Sequence, residues 1–331
     1  MLKVAMLSGW HVHAKGYAQE IQENPNACVS CIWDEDPIRG AQWAKERKVD
    51  FEPCLDRLLA RGDVDAVAVC TPTHLHTEVM MKAAAAKKHI FTEKVLTLIA
   101  KDAIKVKKAI EDNGVIFTIS MPQRTVPVHL FAKKLVEEKT LGDINMMRVR
   151  NGHNGATANW LPNYWYDPVT TGGGAMMDLG AHPMYLANWL FGKAHSISSC
   201  FGHYTHRMVE DCAICTIQFE NGVVGVSEST LASFCSPYMM ELYGTQGTLI
   251  IREDSAQWAT EATGGKLVPV EIPAECMGME KPIDQWINSC VKGTPVAFDI
   301  DAAVALTELM DGAYRAAREK RTVTLSELYQ E

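Results

Sequence analysis

The first third of the chain alternates short apolar runs with longer amphipathic segments. Lys3–Leu7, Cys28–Trp33, Ala66–Cys70, His89–Thr92 and Val115–Ser120 read as strands buried on both faces. Helix-length stretches fall between them. One follows the Ser8–His13 loop and runs through about Glu23; the others are Pro37–Lys48, Asp56–Arg61, Leu75–Ala86 and Ile99–Asn113. Strand and helix alternating in this way predict a parallel, doubly wound α/β sheet with right-handed crossovers.

The pattern changes at Gly172–Gly192, GGGAMMDLGAHPMYLANWLFG. Three glycines run into an apolar helical segment, so the backbone there can come close to another group before the helix begins. Met177, Met184, Leu186, Leu190 and Phe191 bury the helix, while Asp178, His182, Tyr185 and Trp189 recur at i, i+4, i+7 and i+11 on one face. A carboxylate and an imidazole one turn apart form either a mutually satisfied core pair or an acid/base pair. A zinc pair is disfavoured, because no third ligand lies nearby and no HExxH arrangement is present.

Composition narrows the picture. With 331 residues there is room for two domains, and 47% hydrophobic with 22% charged residues is ordinary for a soluble globular protein. A net charge of −8 without a basic run argues against nucleic acid or an anionic membrane as partner. The apolar stretch Val4–Leu7 is too short for a signal peptide, so a cytoplasmic protein is expected. Ten cysteines include Cys28-x-x-Cys31 and Cys212-x-x-Cys215, but both pairs sit in strand-like runs, where residues i and i+3 face opposite sides. No metal site is expected from them.

In a doubly wound sheet the ligand lies beyond the carboxyl ends of the strands. Asp34 ends the second strand, about 25 residues past the first turn, where a carboxylate takes the ribose hydroxyls of a dinucleotide. Glu35 and Asp36 would repel a 2′-phosphate, which favours NAD over NADP, although Arg39 stands one turn later. The first loop departs from G-x-G-x-x-G: Ser8, Trp10 and His13 occupy the glycine positions, with Gly9 and Gly16 nearby. Bulky Trp10 is expected to hold a pyrophosphate farther from the backbone, leaving helix amides, with His11 or His13, to receive it.

Three blocks carry a family resemblance: CTPTHLHTEVMMKAAAAKKHIFTEKV (Cys70–Val95), ISMPQRTVPVHLFAKKLVEEKTLGDI (Ile119–Ile144) and the Gly172–Gly192 segment. In order and spacing the chain resembles the glucose–fructose oxidoreductase/inositol dehydrogenase/MocA family over nearly its whole length. The resemblance implies a Rossmann domain over residues 1–120. It also implies a substrate-binding and oligomerising α/β domain over 121–331, with a large, mostly antiparallel open sheet. Strand-like runs at Ser196–Phe201, Asp211–Phe219, Val223–Thr230, Tyr238–Tyr243 and Thr248–Ile251 agree, with Gly222, Gly244 and Gly247 at turns and a closing helix at Asp299–Glu319. A homodimer or homotetramer through the sheet face is implied as well.

Carried over residue by residue, Lys94 matches the lysine of the family's E-K-P turn, between nicotinamide ribose and substrate, and Asp178 and His182 match the helix pair facing the substrate. Ser8, Gly9, Trp10, His11 and Val12 fall in the phosphate loop. Asp34, Thr71, Pro72, Thr73, His76, Glu93 and Arg124 occupy positions lining the cofactor cleft, His76 being equally suited to a structural role. Three departures mark a divergent branch: Val95 replaces the E-K-P proline, Tyr185 stands three residues past the histidine, and the glycine loop is degraded.

These assignments imply hydride transfer between a sugar, inositol or related polyol and NAD, with His182 as base, Asp178 orienting it or binding a neighbouring hydroxyl, and Lys94 favouring the alkoxide. Trp160 and Tyr164, in the aromatic- and amide-rich stretch Asn151–Asp167, are candidate sugar contacts, as is Tyr185. Two alternatives stand beside this. One is an NAD-retaining enzyme that cleaves glycosides through transient oxidation; the other is a non-catalytic nucleotide- or sugar-binding regulator.

Overall fold

The computed structural model describes residues Met1–Gln330. They divide into two compact units: Met1–Ser120 with Glu280–Val304, and Met121–Met279 with the chain from Ala305 onward.

The first unit is built on six strands: β1 (Leu2–Leu7), β2 (Ala27–Trp33), β3 (Asp50–Phe51), β4 (Ala66–Val69), β5 (His89–Thr92) and β6 (Phe117–Ile119), in the order β3-β2-β1-β4-β5-β6. All pairings are parallel. This is the Rossmann order, in which the chain reverses direction of winding at β1 and β4. Every residue of β4 is buried, as an apolar run covered on both faces must be. Helices α1 (Ala14–Glu23), α2 (Pro37–Arg47), α3 (Leu55–Leu59), α4 (His76–Ala85) and α5 (Ala100–Asn113) supply the crossovers. Strand β3 has only two residues and lies in a stretch read as a connection.

The second unit opens with α6 (Pro127–Glu137), followed by α7 (Pro168–Thr171) and α8 (Ala181–Phe191). Its nine strands are β7 (Ile144–Gly152), β8 (Ala194–Gly202), β9 (Cys212–Phe219), β10 (Val224–Thr230), β11 (Met239–Gly244), β12 (Gly247–Arg252), β13 (Ser255–Thr260), β14 (Val268–Val270) and β15 (Val323–Thr324). They order as β14-β13-β12-β11-β7-β10-β9-β8-β15, antiparallel except for β7 with β10. Alternation along β9 buries Ala213, Cys215, Ile217 and Phe219 and turns the residues between them outward, so one face packs and the other is open. Strands β7, β13, β14 and β15 were not legible as runs.

The contiguous division into 1–120 and 121–331 needs correcting at one place. Helix α9 (Pro282–Lys292) returns to the first unit, where Ile283, Trp286 and Ile287 join the core formed by β1, β2, β4 and α1. Its apolar stripe covers a sheet face that local helices leave open. The last helix, α10 (Ile300–Glu319), lies mostly in the second unit. Among the described residues no helix is long and apolar enough to cross a membrane.

Candidate active site

In the first unit the loop after β1 is held by its own backbone. Ser8 has φ +77°, and its N–H donates to Trp33 O at 2.7 Å; Trp10 N–H donates to Ser8 Oγ and His11 N–H to Cys70 O. The Trp10 ring is buried, 6% exposed. A Cβ on Gly9 would lie 3.2 Å from the Trp43 ring, a tight contact that requires the ring to give by a few tenths of an ångström. Val12 is exposed, and His13 gives α1 no side-chain cap, its ring turning to Glu93 instead; the positive end of a helix favours an anion.

Asp34 sits where a ribose-binding carboxylate belongs, buried and already engaged. Its Oδ2 accepts from Gly9 N–H at 2.9 Å and Arg39 Nε at 2.9 Å, and its Oδ1 from Asp36 N–H at 2.9 Å and Arg39 Nη2 at 2.5 Å. Four donors use the acceptor capacity of one carboxylate. Arg39 Nη2 also reaches Glu35 Oε1 and Ser8 Oγ. Burial works against its charge, but the bonds to Asp34 outweigh this and raise the guanidinium's pKa. Burial likewise pushes the Glu35 carboxyl up.

At the ends of β4 and β5 the histidine of the T-P-x-x-x-H motif has a structural task. His76 is buried between two loops, with Nδ1 2.9 Å from Val95 O and Nε2 3.2 Å from Thr71 O. Burial lowers its pKa, and the neutral ring this favours carries one N–H, which donates to one of the two carbonyls. Pro72 and Thr73 continue the turn, and the Lys94–Val95 peptide is cis. Glu93, 2% exposed, accepts from Lys94 N–H, His13 Nδ1 at 2.7 Å and the Tyr17 hydroxyl, whose oxygen also meets Ser120 Oγ at 2.8 Å. Burial opposes its ionisation, but His11, His13 and Lys94 overcome that and hold it well below the ordinary carboxylate range. His11, His13 and Glu93 bring their ligand atoms within 4.8 Å of one another, near enough for a cation. Within the trio His13 Nδ1 lies at hydrogen-bond distance from Glu93 Oε1, 2.7 Å, and His11 Nδ1 at ion-pair distance, 3.7 Å.

The residues present fit NAD. Two orphaned buried atoms, Thr71 Oγ1 and Glu35 Oε2, lie just past the carboxyl ends of β4 and β2, the edge on which a dinucleotide lies. The uncapped start of α1 suits its pyrophosphate.

In the second unit Asp178 lies in a π turn, Met176–Gly180, that leads into α8 and carries the buried Met177 on its other side. Such insertions recur at functional sites. Trp165 Nε1–H donates to Asp178 Oδ2 at 3.1 Å. One turn on, His182 Nδ1 is 2.8 Å from Tyr185 Oη, which also accepts Gln123 N–H at 3.0 Å. Thus Tyr185, the departure from the family pattern, orients the imidazole. Trp189, last of the stripe, carries the Arg124 guanidinium 5.0 Å from its ring centroid; Arg124 itself belongs to the second unit. Trp160 is 56% exposed, tilted against His153 with centroids 4.6 Å apart, and donates to Asn154 Oδ1; Tyr164 is 40% exposed beside Trp165. Sequence reasoning passed over Trp165, Gln123, Tyr17 and His13 as partners. Each acts across a fold-dependent separation with no local spacing to announce it.

Residues 4–121 match the family described as "Oxidoreductase family, NAD-binding Rossmann fold", and residues 129–250 match the "GFO/IDH/MocA C-terminal domain". The chain belongs to the Gfo/Idh/MocA family of oxidoreductases, and its first unit is an NAD-binding domain. Among relatives, the scyllo-inositol 2-dehydrogenase (NAD(+)) of Bacillus subtilis is 26% identical, over 89% of this chain and 87% of that protein. A putative NADPH-dependent oxidoreductase from Desulfitobacterium hafniense superposes with a TM-score of 0.87 at 18% identity, over 99% and 98% of the two chains. A levoglucosan dehydrogenase in complex with NADH and levoglucosan gives 0.84 at 21%, over 98% and 99%. At these identities the structures establish a shared fold.

Proposed function

We propose that the chain is an NAD(H)-dependent dehydrogenase that oxidises one hydroxyl of a sugar, inositol or related polyol. The observation that carries this is the His182–Tyr185–Gln123 linkage on a buried helix that also bears Asp178. An imidazole whose Nδ1 is anchored through a tyrosine to a backbone amide is held in a fixed orientation, as a proton-transfer group must be. His182 removes the hydroxyl proton through Nε2 while Nδ1–H is held by Tyr185 Oη. Asp178, oriented by the Trp165 indole, accepts a hydrogen bond from a neighbouring hydroxyl. Lys94 favours the developing alkoxide. When bound, NAD supplies the hydride acceptor; the protein's work is binding and proton transfer. Asp34 accepts the ribose hydroxyls once Arg39 yields a place, and the α1 N-terminus and His11 meet the pyrophosphate. Trp160 and Tyr164 cover apolar C–H faces of the substrate. Oligomers form through the open face of the second sheet.

The test is NADH formation across a panel of cyclitols, aldoses and anhydrosugars, with wild type and His182→Ala. Turnover of a polyol that falls roughly 10²–10⁴-fold in the variant is expected for loss of a general base. Protein that binds NADH yet oxidises nothing in the panel would sink the reading.

A further inference from the structure

The segment that carries Asp178 starts with no cap of its own. Gly172–Gly174 have no side chains, and the residue preceding the π turn, Ala175, makes no capping bond. The opening amides of a helix have no partner within it and are costly to bury unpaired. Here three of them are met from elsewhere in the second unit. Gly174 N–H and Met176 N–H donate to Glu210 Oε1 at 2.9 and 3.0 Å, and Ala175 N–H donates to Glu210 O at 2.8 Å. The Tyr314 hydroxyl donates in turn to Glu210 Oε1 at 2.6 Å.

We infer that Glu210 and Tyr314 are positioning residues for Asp178: together they cap the π turn from outside its own sequence and set where its carboxylate stands. The cap lies one turn upstream, since Asp178 N–H makes its own bond to Gly174 O at 2.9 Å. The far end of the turn is pinned separately, by Asn151 Nδ2 on Leu179 O at 3.1 Å. The inference also explains the glycines. A Cβ on Gly173 would lie 1.9 Å from Tyr314 Oη, and one on Gly174 2.0 Å from Glu210 O, so neither position tolerates a side chain while the cap is in place. The close approach that the glycine run permits is therefore to Glu210 and Tyr314. Glu210 is 3% exposed and burial raises its pKa, while its negative charge suits the positive end of the helix. His182 is held one turn later by Tyr185 and is not a direct ward of this cap.

The functional meaning rests on the dehydrogenase reading, but the test does not need turnover. The Trp165 indole N–H donates to Asp178 Oδ2, so its resonance in protein labelled at the eight tryptophans reports where Asp178 stands. Trp165→Phe assigns that resonance. In Glu210→Ala and Tyr314→Phe the Trp165 signal is expected to move while the other indole signals hold, and in Glu210→Gln, which keeps an acceptor, it is expected to stay. With an oxidisable polyol, kcat should fall roughly tenfold or more in the first two variants, as for loss of a hydrogen bond to a charged group, and recover in Glu210→Gln. An unmoved Trp165 signal in both Glu210→Ala and Tyr314→Phe overturns the inference whatever the activity. A moved signal in protein with no turnover on any polyol upholds the cap and fails the dehydrogenase reading. Should Glu210→Ala not fold, Tyr314→Phe, which keeps its ring, decides alone.

Discussion

His129 offers the sharpest quantitative test, because it stands behind the candidate base. Its Nδ1 lies 2.7 Å from Gln123 O, and the same residue's N–H holds Tyr185, which holds His182. The ring is 2% exposed beside Tyr238, and its Nε2 is buried without a partner. A neutral ring donating through Nδ1 satisfies this site. A charged ring would bury an N–H with no acceptor, so burial brings the pKa from 6.5 down to about 4. The sign follows from linkage: between those values the unfolded chain binds the extra proton, so stability is full above about pH 6.5 and is lost as pH falls toward 4. A gap of about 2.5 units corresponds to about 3 kcal/mol, or roughly 6–12 °C in Tm for a unit of this size. The perturbation is His129→Asn, which keeps an amide donor near the Nδ1 position and cannot titrate. The assay is Tm against pH from 7 to 4. Its absolute Tm will be lower, since ring contacts are lost, but its slope should be shallower than that of wild type by about this amount. Parallel curves would refute the reasoning, because they would mean that the wild-type imidazole charges in place without penalty.

Two further outcomes follow from the site. In Arg39→Ala the Asp34 carboxylate loses two of its four donors, and the NADH-over-NADPH affinity ratio should rise roughly tenfold, the worth of one charge-assisted hydrogen bond; a titration by tryptophan fluorescence showing an unchanged or lower ratio contradicts this. Trp160→Ala removes an exposed ring, so Tm should hold while KM for the polyol rises roughly tenfold at unchanged kcat, as loss of uniform binding requires. Unaltered KM would remove Trp160 from the substrate surface.

What the sequence determined by itself is the part of the structure written in short-range periodicity. Buried runs such as Ala66–Val69 and amphipathic stretches such as Ala100–Asn113 declare themselves because burial on two faces or one helix stripe demands those residues locally. Motif order was enough for the family, and the stripe Asp178, His182, Tyr185, Trp189 falls on the π turn and α8. Tertiary structure decided which partner each polar group meets. Asp34 was legible as an acid at a strand end, but its saturation by Gly9, Asp36 and Arg39 was not. The three glycines announced a close approach, yet Glu210 and Tyr314, more than 30 and 130 positions away, could not be read from spacing. The return of α9 to the first unit escaped for the same reason: an amphipathic helix shows in sequence that it must cover something apolar, and only the packed chain shows what.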